Sequence, residues 1–327
     1  MNRYNYDSNH LWIQHRMRHQ KRQRLIIAVS CFLLAGICVT GAFFFQKKQG
    51  HSPTEATKAP IIIEVPSPDS TNAENNPDAV IIVDSPVGQL LAEADTIAAG
   101  YDYDRAIELL QSSEFASEPS VTEAIASYEA TRASLVKAKI GEVTHIFFHS
   151  LVMDNSKAFD GDDDMNGYNQ VMTTAREFEK ILQTMYDKGY VLVRMHDLAY
   201  ETTDENGNSV MKPGTILLPE GKIPFVMSQD DVCYYPYMHD DGFATRMIVG
   251  EDGKPTCEMK IDENTTLVGS YDLVPILEDF IQEHPDFSYK GARAVIAFTG
   301  YEGILGYRTA DKYANSETYE QDRQDAA

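Results

Sequence analysis

Hydrophobic and polar positions follow one another in four different ways along this chain. Leu25–Phe45 is a single uncharged apolar run, closed by Lys47 and Lys48. As a helix rising about 1.5 Å per residue it just spans a bilayer core of roughly 30 Å. Residues 46–87 are rich in Pro, Ser, Thr, Asn and Asp, broken only by the apolar patches Ile61–Val65 and Val80–Val83. That composition predicts an extended, mobile linker. Over 88–140 the spacing becomes helical, with Leu90, Leu91, Ala94 and Ile97, then Tyr103, Ala106, Ile107 and Leu110, then Val121, Ile125, Tyr128 and Leu135. From 141 onward, short apolar runs alternate with helical stripes.

Those runs predict four strands: Thr144–Phe148, Tyr190–Val193, Ile223–Met227 and Ala294–Phe298. The first reads as a buried strand; the third is too apolar to alternate and reads as covered on both faces. Thr174 and Glu177 have the spacing of a capping box. Phe178, Ile181, Leu182, Met185 and Tyr186 then form one apolar stripe, stopped at Gly189. Asp272 stands where it would cap a second helix, with Ile276, Leu277, Phe280 and Ile281 on its core face. Asp204–Asn208 reads as a polar hairpin turn. Strands alternating with helices predict an α/β domain with a mainly parallel sheet.

Charge divides the chain at the apolar run. Met1–Arg24 holds six Lys/Arg against one acidic residue, and residues 1–48 carry a net +7. The chain's net charge of −22 therefore leaves −29 for residues 49–327. A cleaved signal peptide has an apolar core of about 7–15 residues and a small-residue cleavage site. The longer run predicts an uncleaved anchor instead, with basic residues 1–24 in the cytoplasm and the acidic body outside. So acidic a body repels nucleic acid, whereas a neutral or cationic glycan is tolerated.

Of the four cysteines, Cys31 and Cys38 fall within the anchor. Cys233 and Cys257 fall in the body, and the Glu-Asp-Gly-Lys turn within Ile248–Pro255 could fold one back toward the other. Spacing leaves both a disulfide and two free thiols open. Asp162-x-Asp164-x-Asn166-Gly167 matches the opening of a calcium loop. Its closing bidentate Glu should fall at position 173, which is Thr, so the stretch reads as a solvated acidic loop.

The chemistry concentrates in Lys222–Tyr235, where the strand Ile223–Met227 stops at Asp230 and Asp231. Parallel α/β folds work at the carboxyl ends of their strands. Two adjacent carboxylates there suit a metal ligand beside a general base. The stretch Ser228-Gln229-Asp230-Asp231-Val232 resembles the first signature, T-F-D-D-G, of the polysaccharide deacetylase family (NodB-like carbohydrate esterases), with Gln229 and Val232 in place of Phe and Gly. His145–Ser150 resembles the family's first barrel strand, and Met172–Tyr190 its first helix and second strand. Asp272–His284 and Ala292–Gly300 resemble the next helix and strand, so the likeness runs from Val143 to Arg308.

That resemblance implies a distorted (β/α) barrel, here the N-terminal part of one over 141–327. It implies a divalent metal, typically zinc, held by Asp231 and by two histidines of a later H-[S/T]-x-x-H motif. Asp230 would be the base, and an acetylated polysaccharide the substrate. No histidine follows His284 in the chain, so the expectation is a site and a barrel left incomplete, silent in catalysis as they stand. His145 and His149 do not substitute. On a strand, residues four apart stand about 13 Å from one another at roughly 3.3 Å per residue, too far to chelate one ion. His149, at the strand's end, is expected to line the substrate cleft. Gly100–Ala106 resembles the turn of a tetratricopeptide-like helix pair, which alone predicts a stalk or cap rather than a repeat array. The alternatives to a deacetylase are an inactive glycan-binding relative and a structural or sensory ectodomain.

Overall fold

A computed structural model of the chain describes residues 85–162 and 164–327. The basic segment, the apolar run and the linker, down to Asp84, lie outside the described residues. Among the described residues no helix is long and apolar enough to cross a membrane.

The predicted helical segment is a bundle of three helices: α1 (Pro86–Ala99), α2 (Tyr103–Gln111) and α3 (Pro119–Ser134). Ser85 opens α1 by accepting from the Gly88 amide at 3.0 Å, with Pro86 in the first turn where its missing N–H is harmless. Leu91, Ala94, Ala106, Ile107, Leu110, Val121 and Tyr128 close its core, matching the apolar spacing. Leu135 falls just past α3 in extended backbone.

The bundle packs onto the following α/β elements through the turn that joins α1 to α2. The Gly100 carbonyl accepts from the Lys290 amide at 2.7 Å. A Cβ on Gly100 would meet the Ser288 carbonyl at 3.2 Å, a tight contact that would press the two segments apart by a few tenths of an ångström. Tyr101, at φ 65°, swings its ring into the core against Val191, Val193, Ile216, Leu218, Val226 and Tyr289. Its hydroxyl donates to the Asp286 carbonyl at 2.9 Å. The segment is therefore a cap fixed to the domain.

The α/β part begins with β1 (Val136–Lys137) and β2 (Thr144–Phe148). After a helical turn at Asn155–Ala158 come α4 (Met165–Val171), α5 (Ala175–Asp187) and β3 (Tyr190–Leu192). A hairpin of β4 (Ala199–Thr203) and β5 (Ser209–Pro213) follows, turned by Asp204, whose carboxylate accepts from the Asn206 and Asn208 amides. Then come β6 (Leu217–Leu218), which pairs back to β1, and the central strand β7 (Ile223–Gln229). Beyond β7 an antiparallel sheet of β8 (Arg246–Val249), β9 (Pro255–Asp262) and β10 (Thr265–Gly269) leads to α6 (Leu273–Glu283). The chain continues through β11 (Val295–Ile296) to α7 (Tyr319–Asp325).

β7 carries the parallel sheet. β2 runs along one side, from Thr144↔Phe225 to Phe148↔Gln229. β3 pairs with Ile223–Phe225 and β11 with Ser228–Gln229, so these two share the other side end to end. The result is a mixed α/β fold with an open sheet; no closed barrel forms among the described residues. The capping box is present, Glu177 N to Thr174 Oγ1 at 3.2 Å and Thr174 N to Glu177 Oε2 at 3.0 Å. Phe178 and Leu182 of α5 then meet Leu192, Phe225, Met227, Leu277 and Phe287 in the main core.

One sequence expectation needs correction here. β7 is buried along almost its whole length, but β2 is not. Among the described residues β2 pairs with β7 alone, which leaves His145 and Phe147 exposed on an edge strand. β2 also opens on the polar Thr144 and His145, whereas β7 is apolar from Ile223 to Met227 and has strands on both sides.

Candidate functional site

Asp230 and Asp231 sit where β7 ends, between the ends of β2 and β11. The Asp230 amide donates to the Phe148 carbonyl at 2.7 Å, and the Val232 amide donates to the Ala297 carbonyl at 3.2 Å. The chain thus leaves β7 pinned on both sides. Asp231 takes φ 55°, a left-handed conformation that Asp adopts more readily than most residues.

The two carboxylates are held differently. Asp230 Oδ1 accepts from the Asp231 amide at 3.0 Å. Asp231 accepts from the Thr299 hydroxyl at 2.5 Å and from the Tyr235 hydroxyl at 3.0 and 3.1 Å, one distance to each oxygen. Burial, reinforced by the Asp231 charge, pushes the Tyr235 hydroxyl well above the ordinary tyrosine range, so it stays a donor. Tyr235 stacks on Tyr237 at 5.6 Å between centroids.

Exposed aromatic rings belong to the same edge. Tyr237 is 59% exposed in the loop after β7, Phe298 49% and Tyr301 58% in the loop after β11, and Phe147 60% near the end of β2. His149 is half-buried and meets Phe147 edge-on at 6.2 Å. His145 lies at 2.8 Å from the Ser228 hydroxyl, tying β2 to β7.

Beneath this edge lies a polar network that the sequence pattern did not announce. Asp272 occupies the N-cap position of α6 but makes no cap bond. Its carboxylate, fully buried, accepts instead from the Leu151 amide at 2.9 Å, the Gln229 side-chain amide at 2.6 Å and the Tyr234 hydroxyl at 2.5 Å. Burial raises its pKa above the carboxylate norm despite these donors. Gln229 therefore faces a carboxylate inside the core. Arg308 closes the far side of the loop by donating to the carbonyls of Cys233, at 3.3 Å, and Tyr234.

His239 joins that closure, its Nε2 lying 3.1 Å from the Tyr234 carbonyl and 3.3 Å from the Arg308 guanidinium. Burial lowers its pKa, the bond to Tyr234 and nearby Asp240 oppose this, and Arg308 and Lys260 add to the lowering. The folded state thus favours neutral His239. The unfolded chain takes up its proton near the ordinary histidine value of about 6.5. Stability from this group is present above that value and is lost as pH falls through the folded pKa. Melting curves between pH 7.5 and pH 5 should drop less for His239→Gln than for the native chain; equal slopes would remove His239 from the account.

The cysteine pair is unbridged. Cys233 and Cys257 are both buried free thiols. Met247↔Cys257 pairing does fold β9 back as the turn predicted. However, the side chain that meets Cys257 is Tyr234, whose hydroxyl lies 3.7 Å from its sulfur. Cys233 lies instead 3.9 Å from the Arg308 guanidinium. Burial pushes both thiols up, which disfavours the reactive thiolate.

Among the described residues the group of His, Cys, Asp or Glu close enough to share one ion is Asp162, Asp164 and Asp241, with ligand atoms within 4.8 Å of one another. Asp231 is not in it. Three carboxylates suit a hard cation rather than a zinc site built on histidine. Asp162 instead accepts from the amides of Asp164 and Met165, turning the chain into α4. Asn166 and Gly167, which would extend a calcium loop, are already helical. Asp241, which completes the trio, comes from the loop after β7 and shares no motif with the other two; its Oδ2 accepts from Tyr168 at 2.6 Å.

Set against protein-family models, curated proteins and solved structures, the chain matches none.

Proposed function

We propose that this is a polysaccharide-deacetylase-like protein that engages an acetylated glycan of the cell envelope at the carboxyl edge of β7. In the same reading, Leu25–Phe45 anchors it in the membrane and the acidic body lies outside the cytoplasm. The observation that carries the proposal is the Asp230–Asp231 pair at the end of the central parallel strand, in loops bearing the exposed rings of Tyr237, Phe298 and Tyr301. Aromatic faces with a few fixed polar groups are the usual makeup of a small-ligand site, and paired acceptors suit sugar hydroxyl and amide donors. The ordered strand and helix likeness over Val143–Arg308 adds the family, and with it the partial (β/α) barrel and the acetyl group.

Hydrolysis is the second reading, favoured by the place of the pair. In the family Asp231 would bind zinc and Asp230 would take the proton from the attacking water. The described residues do not complete such a site: both Asp231 oxygens accept hydroxyl bonds, and no trio of ligating side chains includes it. Recognition without turnover is the reading the described residues support best.

The test uses the full-length protein in detergent, with N-acetylated and O-acetylated oligosaccharides as probes and with and without zinc. Saturable binding is expected, weakened about tenfold or more by Asp231→Asn, a loss equivalent to one charge-assisted hydrogen bond. Zinc-dependent acetate release that vanishes in Asp230→Asn would establish the hydrolytic reading instead. No binding to either probe class would remove the glycan from the account. Protease added to intact cells should separately digest the chain beyond Lys48, and full protection would reverse the topology.

A further inference from the structure

The loop carrying Asp230 and Asp231 is fastened from below by a single side chain. Asp272 Oδ1 accepts from Leu151, just past β2; Oδ2 accepts from Gln229, the last residue of β7, and from Tyr234, three residues beyond Asp231. Two segments that converge on the site edge, the chain just past β2 and the stretch from the end of β7 into its loop, thus meet on one carboxylate, which itself comes from the start of α6. The neighbourhood does not otherwise call for a charge. Its chain neighbour Leu273 and nearby Cys257 are buried and apolar. A buried carboxylate is costly unless its lone pairs are satisfied, and Asp272 has given up capping α6 to bind these three donors.

The segment it spans has a reason to need holding. Asp231 at φ 55° and Tyr234 at φ 52° are both left-handed without being glycine. Such backbone persists where the surroundings over-determine it. Gln229 and Tyr234 bracket the strained stretch, and both are bound to the same carboxylate oxygen. Gln229 contributes by one end only: its Oε1 is buried without a partner, so the amide's orientation is governed by Asp272. With the loop in this shape, the Asp231 carboxylate reaches Thr299 and Tyr235.

We infer that Asp272 is the positioning residue of the site, fixing the Gln229–Tyr234 loop so that Asp231 is presented at the carboxyl edge of β7. It acts through Gln229 and Tyr234 and does not itself reach the ligand. The inference rests on the reading that Asp231 meets the glycan, but its first measurements do not require a ligand.

The experiment compares native, Tyr234→Phe, Asp272→Asn and Asp272→Leu full-length proteins. Amide hydrogen exchange at Asp231, Val232 and Cys233 is measured against the β4–β5 hairpin as a remote reference. Tyr235 ring resonances report its bond to Asp231. In Tyr234→Phe, which removes only a hydroxyl, loop exchange should rise about tenfold, the equivalent of one hydrogen bond to a charged group. The hairpin should be unchanged and the Tyr235 resonances should shift. The Asp272 variants should exceed this, with Leu above Asn because Asn keeps the shape and one accepting oxygen whereas Leu accepts nothing.

Loop exchange that stays at the native level, or that rises only in step with the hairpin, overturns the inference. If neither Asp272 variant folds, Tyr234→Phe decides alone by the same criterion. Affinity for the acetylated oligosaccharides is then read on the folded variants. Native-like affinity with a loosened loop also overturns a positioning role. A loosened loop in proteins of which even the native form binds no oligosaccharide upholds the clamp and refutes the glycan reading.

Discussion

Phe225→Ala should destabilise the domain by about 3–5 kcal/mol, the usual range for removing a buried ring from a packed core. Phe225 is fully buried in the middle of β7, paired to Thr144 on one side and Leu192 on the other. Its ring meets Tyr190 edge-on at 6.0 Å and Phe287 at 5.6 Å. Truncation leaves a void bounded by both strand neighbours, where the backbone ladder limits collapse. Phe225→Leu keeps most of the volume and should cost roughly 1–2 kcal/mol. Urea unfolding of the two variants gives the comparison. A loss below about 1 kcal/mol for the alanine variant would mean that β7 is not the centre of the core.

Tyr101→Ala should cost a similar amount, about 3–4 kcal/mol, but from a different place. The side chain is 5% exposed, stacks on Tyr289 at 6.4 Å and donates to the Asp286 carbonyl. It holds the helical cap to the α/β domain. Alanine removes the ring while keeping the left-handed backbone, whose strain costs a residue with a Cβ about 1–2 kcal/mol. Tyr101→Gly removes both and should recover part of the loss. Tyr101→Phe removes only the hydroxyl and should cost about 1 kcal/mol. Thermal unfolding followed with limited proteolysis reads the outcome: in Tyr101→Ala, α1–α3 should become cleavable below the main transition. A single transition with no early cleavage would show that the cap is held by other contacts.

The elements legible in the sequence were those whose signals are local. The Thr174–Glu177 box, the Phe178 stripe, the Asp204 turn and the Glu251–Lys254 hairpin each depend on residues a few positions apart, and each recurs in the structure. The burial that the apolar run predicts is present in β7 and missing from β2, because the composition of a run does not say where in the sheet its strand will lie. The Asp pair was legible as a strand ending in adjacent carboxylates. Its partner Thr299 lies 68 residues away, beyond any spacing rule. Asp272 resembled an ordinary helix cap, since a capping Asp and a buried anchoring Asp look alike until the fold brings Leu151, Gln229 and Tyr234 to it. Asp241 beside Asp162 and Asp164 has the same origin.

Among the described residues one side of β2 has no strand partner, and this bears on how the protein behaves when crowded. A strand edge with free peptide groups and a projecting Phe147 can add another extended chain by backbone hydrogen bonding. None of the usual deterrents stands on β2 itself, where Thr144–Phe148 contains no lysine and no proline. What keeps two such edges apart is long-range: a body carrying −29 charges repels its own copies. That repulsion reaches about 10 Å at 0.1 M salt and about 3 Å at 1 M. Colloidal stability is thereby delegated from the strand to the ionic atmosphere, and added salt, which leaves the edge untouched, brings the copies within pairing distance.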